Sequence, residues 1–324
     1  MTGLAALILM TLALPALLAR LTGGYPPNPR PELAALSPLA VLPAIAAVII
    51  AATAAWWLAA LLAIPAALLL MWQLPPVKRP RFLAAAGPSH GTGPAATTLT
   101  LRVFTVNARH GAADPAAILR ILRQHDVDVL AVQELTPSLV DRLTAAGLRD
   151  VLPFSHLDPR PGSRGTGLWA RWPLVPLPPV PGLARAAPRA RIDPLGGFPV
   201  TLTVVHPVSP VQGRAAGWGR DLAMIQQALG TADEPHVVAG DFNATHNHRA
   251  FRELLAAGYL DCADVSQNRS WPGFTWPVAG RTLPVLRLDH VLVSRTATVP
   301  VTRTMRVPRT DHHGVLAAIE FPLR

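Results

Sequence analysis

Val127-Asp-Val-Leu-Ala-Val-Gln-Glu134 is the stretch on which the reading of this chain turns. Its apolar run is short, rich in valine and bounded by polar residues. That is the pattern of a strand buried on both faces, not of a helix. The strand ends on an amide and a carboxylate, Gln133 and Glu134. Other stretches end the same way. Residues 99–107 alternate apolar and polar at period two and end on Asn107. Residues 200–205 run into His206, and 236–239 run into Gly240-Asp-Phe-Asn243. Asp289 lies within an apolar strand at 287–294, and Asp311-His312 precedes a last strand at 315–321. Strand ends of packed sheets converge on one edge, so these polar groups are expected to share a cleft.

Helices punctuate the strands. Asp114-Pro115 and Thr136-Pro137 each pair a capping side chain with proline at the first helical position, opening helices to 124 and to about 146. Further helices are expected at 217–229 and 249–257, and further strands at 167–171 and 299–306. Strands outnumber helices and often follow one another directly. The expected fold is therefore α/β: a four-layer sandwich of two packed mixed sheets flanked by helices.

Composition adds a second region. The chain has 324 residues, 50% apolar and 15% charged, which excludes a disordered chain. Its one cysteine, Cys262, excludes an internal disulfide framework or a multi-cysteine zinc site and reads as a buried apolar residue. Charged side chains are missing from 1–19 and again from 33–77. One helix over that second stretch would be about 68 Å long, twice the hydrocarbon thickness. The expected organisation is a membrane region at 1–77 with three transmembrane helices near 4–22, 38–54 and 56–73, a linker at 78–97, and a catalytic domain at 98–324. No basic residue precedes the first apolar run, which favours a span over a cleaved signal peptide. The positive-inside rule, applied to Arg30 and Lys78-Arg79-Arg81, places the domain in the cytoplasm. The formal charge is +10, but the basic residues are scattered and form no stripe of the kind that tracks nucleic acid.

The strand-end residues permit a definite chemistry. Glu134 and Asp311 are hard oxygen ligands which, with Asn107, are suited to one Mg2+. No second tight carboxylate cluster suggests a two-metal clamp. Asp289 can orient His312 and hold a proton on it. Asp241 and Asn243 can position an attacking water, and His206 can donate to a phosphoryl oxygen. This is phosphoester hydrolysis, in which positioning and charge neutralisation do most of the work. Each signal alone is ordinary: Gly-Asp-Phe-Asn could be a turn with an Asx cap. His246, His248 and His313 read as surface histidines.

The joint order resembles the endonuclease/exonuclease/phosphatase superfamily, which shares the fold of DNase I, the exonuclease III-type endonucleases, the neutral sphingomyelinases and the inositol polyphosphate 5-phosphatases. The resemblance spans about 99–321. It rests on Val103-Phe-Thr-Val-Asn107, Asp128-Val-Leu-Ala-Val-Gln-Glu134, Gly167-Leu-Trp-Ala-Arg-Trp-Pro-Leu174, Val204-Val-His206, Gly240-Asp-Phe-Asn243, Arg287-Leu-Asp-His-Val-Leu-Val293 and Thr310-Asp-His312. It implies Asn107, Glu134 and Asp311 at an Mg2+ (Mn2+ as substitute), Asp241 on the nucleophilic water, and Asn243 and His206 at the phosphate. Asp289 and His312 would form the essential pair. Thr310 and Ala170 stand where the family has serines, and nothing matches the tyrosine of the DNA-repair branch. The N-terminal spans resemble the membrane-anchored actinobacterial members, which implies a multi-pass cell-membrane protein with its catalytic domain outside, against the charge bias. The expected function is a membrane-anchored phosphoesterase acting on a phosphodiester or phosphomonoester, lipid-linked substrates included. An extracytoplasmic nuclease for DNA or RNA and a non-catalytic binding module of the same fold are the alternatives. Membrane and phosphate-ester substrate are the expected partners, and no obligate protein partner is evident.

Overall fold

The computed structural model describes residues 2–22, 31–71, 98–211, 213–230, 234–278 and 283–323. It divides into two compact units, 1–97 and 98–324. The expected linker at 78–97, the end of the third expected span and residues 279–282 lie outside the described residues.

In the first unit, α1 (Thr2–Thr22), α2 (Pro31–Ala35), α3 (Ser37–Ala54) and α4 (Trp56–Met71) are helical. Two helices are long and apolar enough to cross a membrane, over Thr2–Leu21 and Ser37–Ala54. The third expected span is a shorter apolar helix of 16 residues, about 24 Å at 1.5 Å per residue. Of the three expected spans, two are long enough among the described residues, and the end of the third lies outside them. Within the unit, small residues meet: Ala6, Ala13, Ala40, Ala44, Ala47 and Ala51 are buried together. Large side chains such as Leu4, Leu42 and Trp56 point outward. Met10, Leu17, Leu58, Leu62 and Leu69 are buried with the alanines.

In the second unit, one sheet contains β1 (Thr98–Asn107), β2 (Val129–Gln133), β3 (Phe154–Asp158), β4 (Thr166–Ala170), β10 (Asn268–Arg269), β12 (Thr298–Arg306) and β13 (His313–Pro322), in the order β10-β12-β13-β1-β2-β4-β3. The other contains β5 (Val175–Leu177), β6 (Arg189–Ile192), β7 (Val200–Val205), β8 (His236–Asp241), β9 (Tyr259–Asp261) and β11 (Asp289–Ser294), in the order β5-β6-β7-β8-β11-β9. Both sheets are mixed. The parallel pairs are β1 with β2 and β10 with β12 in the first sheet, and β7 with β8 in the second.

The alternation of side chains builds the layers. Leu101, Val103, Val129 and Ala131 face the other sheet and pack with Leu202, Val204, Val237, Ala239 and Val291. Phe104, Val106, Leu130 and Val132 face the opposite way. They meet Ile118 and Leu122 of α5 (Pro115–Gln124) and Leu139 and Leu143 of α6 (Pro137–Ala145). Asp114 and Thr136 cap these helices as expected, accepting from Ala116 N at 3.1 Å and Leu139 N at 3.2 Å. Beyond α7 (Leu148–Val151), the second sheet is covered by α8 (Ala215–Leu229) and α9 (Arg249–Ala256), with Trp218, Leu222, Ile225, Phe251 and Leu254 buried. A short α10 (Cys262–Val265) follows β9. The result is the two-sheet sandwich flanked by helices that the sequence predicts. The short strands β3, β5, β6, β9 and β10 were not legible, since two to five residues carry too little periodicity.

Gly240 is a position the fold cannot exchange. Its φ is +155°, and a Cβ there would sit 2.0 Å from the Val205 carbonyl oxygen on the adjacent parallel strand. Gly240→Ala is expected to force β7 and β8 apart, at a cost of about 2–4 kcal/mol. A urea titration checks this: an unchanged midpoint would mean the strands are not paired in this register.

Candidate active site

The β1–β2 and β7–β8 parallel pairs position the site. Asn107 closes β1 beside Gln133 of β2, which delivers Glu134. Val205 pairs with Gly240, so His206 and Asp241 leave neighbouring strand ends in the other sheet. The same edge of both sheets therefore carries an amide, two carboxylates and a histidine. Asn107 Nδ2 donates to Asp241 Oδ2 at 3.0 Å, across the sheets, and lies 3.4 Å from Glu134 Oε1. His206 Nε2 is 3.6 Å from Asp241 Oδ2 and 3.9 Å from Glu134 Oε1.

A second bridge joins the sheets. His312 precedes β13, and Asp289 opens β11 opposite Asp241. His312 Nδ1 lies 2.8 Å from Asp289 Oδ2, and its Nε2 reaches 3.9 Å from Asp241 Oδ2. Thr310 keeps the role of its hydroxyl: Oγ1 donates to the Asn107 carbonyl at 2.7 Å and accepts from His312 N at 3.2 Å. Asn243 is held by a turn, its backbone N–H donating to Asp241 Oδ1 at 2.8 Å and its side-chain amide to Pro207 O at 3.1 Å. Arg109, His110, Glu134 and Asn243 all adopt positive φ. Such conformations store strain where neighbours over-determine them, and these four border the cleft.

The electrostatics separate the roles. Burial and the facing Asp289 carboxylate push Asp241 up to about 6. Burial works against a charge on His312, but Asp289, through its charge and its hydrogen bond, outweighs it, with Asp241 adding to the effect; the imidazole is pushed up to about 10. His312 therefore holds its proton through the neutral range. A raised histidine stabilises the fold fully below about 6.5, and that contribution is lost as pH rises towards 10. Asp289→Asn is expected to lower the melting temperature at pH 7 and to lose most of that difference near pH 11. Equal losses at both pH values would contradict the charged pair. His206 is pushed well down, first by burial and then by the Arg185 guanidinium.

The other sequence-expected metal ligand, Asp311, is next to His312 in the chain and acts on its charge. Its Oδ1 is 4.0 Å from Arg109 Nε, and the Arg109 backbone N–H donates to Asn107 Oδ1 at 2.9 Å. Arg109 thus touches Asp311 with its side chain and Asn107 with its backbone. The acid that meets Asn107 across the sheets is Asp241. Glu134 and Asp241 bring carboxylate oxygens to the Asn107 Nδ2 donor, and the Asn107 oxygen accepts from Arg109 N; carboxylate and amide oxygens are the hard ligands that suit Mg2+ or Mn2+.

Some groups escaped the sequence. His110 N donates to Glu134 Oε2 at 2.6 Å, fixing that carboxylate. Thr275 Oγ1 accepts from Leu288 N and Asp289 N, at 3.0 and 3.2 Å. Arg185 Nη1 meets His206 Nε2. Because a guanidinium only donates, His206 Nε2 accepts here and presents no N–H to the cleft. None of these contacts has a motif: each joins residues far apart in the chain. His246 and His248, read as surface histidines, are drawn inward. His246 Nε2 lies 3.1 Å from Asp261 and 2.9 Å from Asp264, and His248 is buried.

Comparison with known proteins agrees with this fold. Solved structures share the fold over about two thirds of the chain. An endonuclease/exonuclease/phosphatase family protein from Bacteroides thetaiotaomicron is 14% identical at TM-score 0.55, covering 70% of this chain and 99% of its own. A mannosyl-6-phosphatase from Bacteroides thetaiotaomicron VPI-5482 is 15% identical at 0.51, covering 68% and 99%. D. rerio TDP2, solved with a single-strand DNA product, is 18% identical at 0.54, covering 68% and 98%. No curated protein matches. The profile of the endonuclease/exonuclease/phosphatase family, whose members are divalent-metal-dependent phosphoester hydrolases, matches residues 104–312, and the chain belongs to that family.

Proposed function

We propose that the chain is a membrane-anchored, Mg2+-dependent phosphoesterase that hydrolyses a phosphodiester or phosphomonoester, lipid-linked substrates included. The observation that carries the reading is the pair of bridges between sheet edges: Asn107 to Asp241 at 3.0 Å and His312 to Asp289 at 2.8 Å. Asn107, Glu134 and Asp311 would hold the cation, with Asp241 beside them. The cation would neutralise phosphate charge and polarise the phosphorus. Asp241 and Asn243 orient the attacking water, and Asp241 accepts its proton. His312, kept protonated by Asp289, donates from Nε2 to a phosphoryl oxygen as charge builds there. Positioning by two rigid sheets supplies much of the rest.

The apolar helices over Thr2–Leu21 and Ser37–Ala54 support the anchor. An anchored site meets a bilayer-borne substrate at high local concentration, on the outer side of a cell membrane in this reading. A nuclease is the second reading, favoured by the DNA product held by the zebrafish neighbour. The binding module is disfavoured, because none of the expected site positions has been lost.

The test is hydrolysis by the full chain in detergent of phospholipids, polyprenyl phosphates, DNA and bis-p-nitrophenyl phosphate. Turnover that EDTA removes and Mg2+ restores is expected. No metal-dependent turnover on any of them overturns the proposal. Strong preference for DNA with a steep fall in added salt selects the nuclease.

A further inference from the structure

Arg185 lies on the loop before β6 and packs against the cleft without belonging to any motif quoted above. Its guanidinium is half-buried. Nη1 donates to His206 Nε2 and, at 3.2 Å, to the Pro207 carbonyl; Nη2 donates to Ser163 Oγ at 3.2 Å. All three partners are formally neutral acceptors. Among the described residues, no carboxylate forms an ion pair with it. Asp241 and Glu134 act on it only from a distance, and burial outweighs them, so the guanidinium's hold on its proton is weakened. A desolvated cation with neutral partners is an expensive arrangement unless an anion completes it.

The position is also preorganised. The next residue, Ala186, is tied by both backbone groups: its N–H donates to Arg164 O at 2.9 Å, and its carbonyl accepts from Thr166 Oγ1 at 3.0 Å. Arg185 and the Asn243 side chain converge on the same acceptor, Pro207 O, at 3.2 and 3.1 Å. A phosphoryl oxygen is a stronger acceptor than a carbonyl or an imidazole nitrogen, and the planar fork suits two oxygens of one phosphate.

We propose that Arg185 is a substrate-binding residue that moves its donors from His206 and Pro207 onto the non-bridging oxygens of the phosphoryl group. Resting on the phosphoesterase reading, it names the chemistry recognised: a phosphate with two free oxygens facing the loop between β5 and β6. Departure of Arg185 frees the His206 Nε2 lone pair in the same step, so binding and the state of His206 are linked. No bond is made or broken in this step.

The test uses the full chain in detergent with Arg185→Ala and Arg185→Lys. Inorganic phosphate binding is measured by calorimetry, and kcat and KM are measured on bis-p-nitrophenyl phosphate. The alanine variant is expected to bind phosphate at least about ten-fold more weakly and to lose about 10²-fold in kcat/KM. Millimolar guanidinium restores part of that loss in Arg185→Ala and does nothing for the parent. Lysine, a point charge without the fork, falls between the two, and the Mg2+ half-saturation stays where it was. Phosphate affinity and kcat/KM within about two-fold of the parent overturn the proposal. So does a loss that guanidinium does not rescue and that tracks a lowered melting temperature, since Arg185 would then be a strut for its loop. Phosphate binding is read without turnover, so a parent that hydrolyses nothing sinks the phosphoesterase reading while the calorimetry still judges Arg185.

Discussion

His312→Ala is expected to lower kcat by about 10³–10⁴-fold with little change in KM. The reason is the geometry at Nε2. This nitrogen points to Asp241 at 3.9 Å, while Nδ1 is occupied by Asp289 at 2.8 Å. The ring is thus oriented, protonated and aimed at the space between the sheets. Removing it takes away a donor that acts as charge develops on the phosphoryl group, so the loss falls on kcat. Alanine also leaves Asp289 buried without its partner, which costs stability. His312→Gln keeps a donor on a similar stem and separates the two effects. Folded protein by circular dichroism with a large loss in kcat is the predicted result for both. A folded His312→Gln with parent turnover would remove this histidine from the chemistry. The proton matters as much as the ring. In the parent, the alkaline fall in kcat should lie near pH 10, because His312 is pushed up to about 10. Asp289→Asn is expected to draw that fall down towards the ordinary histidine range near 6.5.

Glu134→Gln carries the second large effect. Glu134 sits in a left-handed conformation, φ 56°, with Oε2 held by the His110 N–H at 2.6 Å and Oε1 facing the Asn107 amide. The glutamine keeps shape and most packing but removes the negative charge that would hold the cation. At fixed Mg2+, kcat/KM is expected to fall by at least about 10³-fold, or about 4 kcal/mol of transition-state stabilisation. A large excess of Mg2+ should recover part of it, since the defect lies in metal affinity. Unchanged kcat/KM would contradict a role for Glu134 at the metal.

The sequence reveals the strands that build the site because their patterns are strong. β1, β2, β7, β8, β11 and β13 are apolar runs of five to ten residues that end in, or begin at, polar groups. Burial on both faces demands that pattern, and a sharp change to polar residues marks the cleft. The capped helices α5 and α6 are legible for the same reason, since a capping side chain followed by proline is a local device. What escapes is set by tertiary structure. Asp241 meeting Asn107 follows from the register that stacks one parallel pair over another, and no local pattern reports it. Arg185 lies in a Pro- and Gly-rich loop whose path depends on Ala186 being tied to Arg164 and Thr166. The apolar helices are legible from missing charge alone.

The central claim is that the edges of the two sheets close on one divalent cation. Anomalous diffraction from crystals of the full chain soaked in Mn2+ tests it most directly. One peak is predicted, about 2.0–2.3 Å from a Glu134 carboxylate oxygen and from the Asn107 side-chain oxygen, absent in Glu134→Gln. His246, Asp261 and His290 also come together, with His290 Nδ1 2.7 Å from Asp261 Oδ2; a peak seated only there, or no peak at the Asn107–Glu134–Asp241 edge at saturating Mn2+, would contradict it.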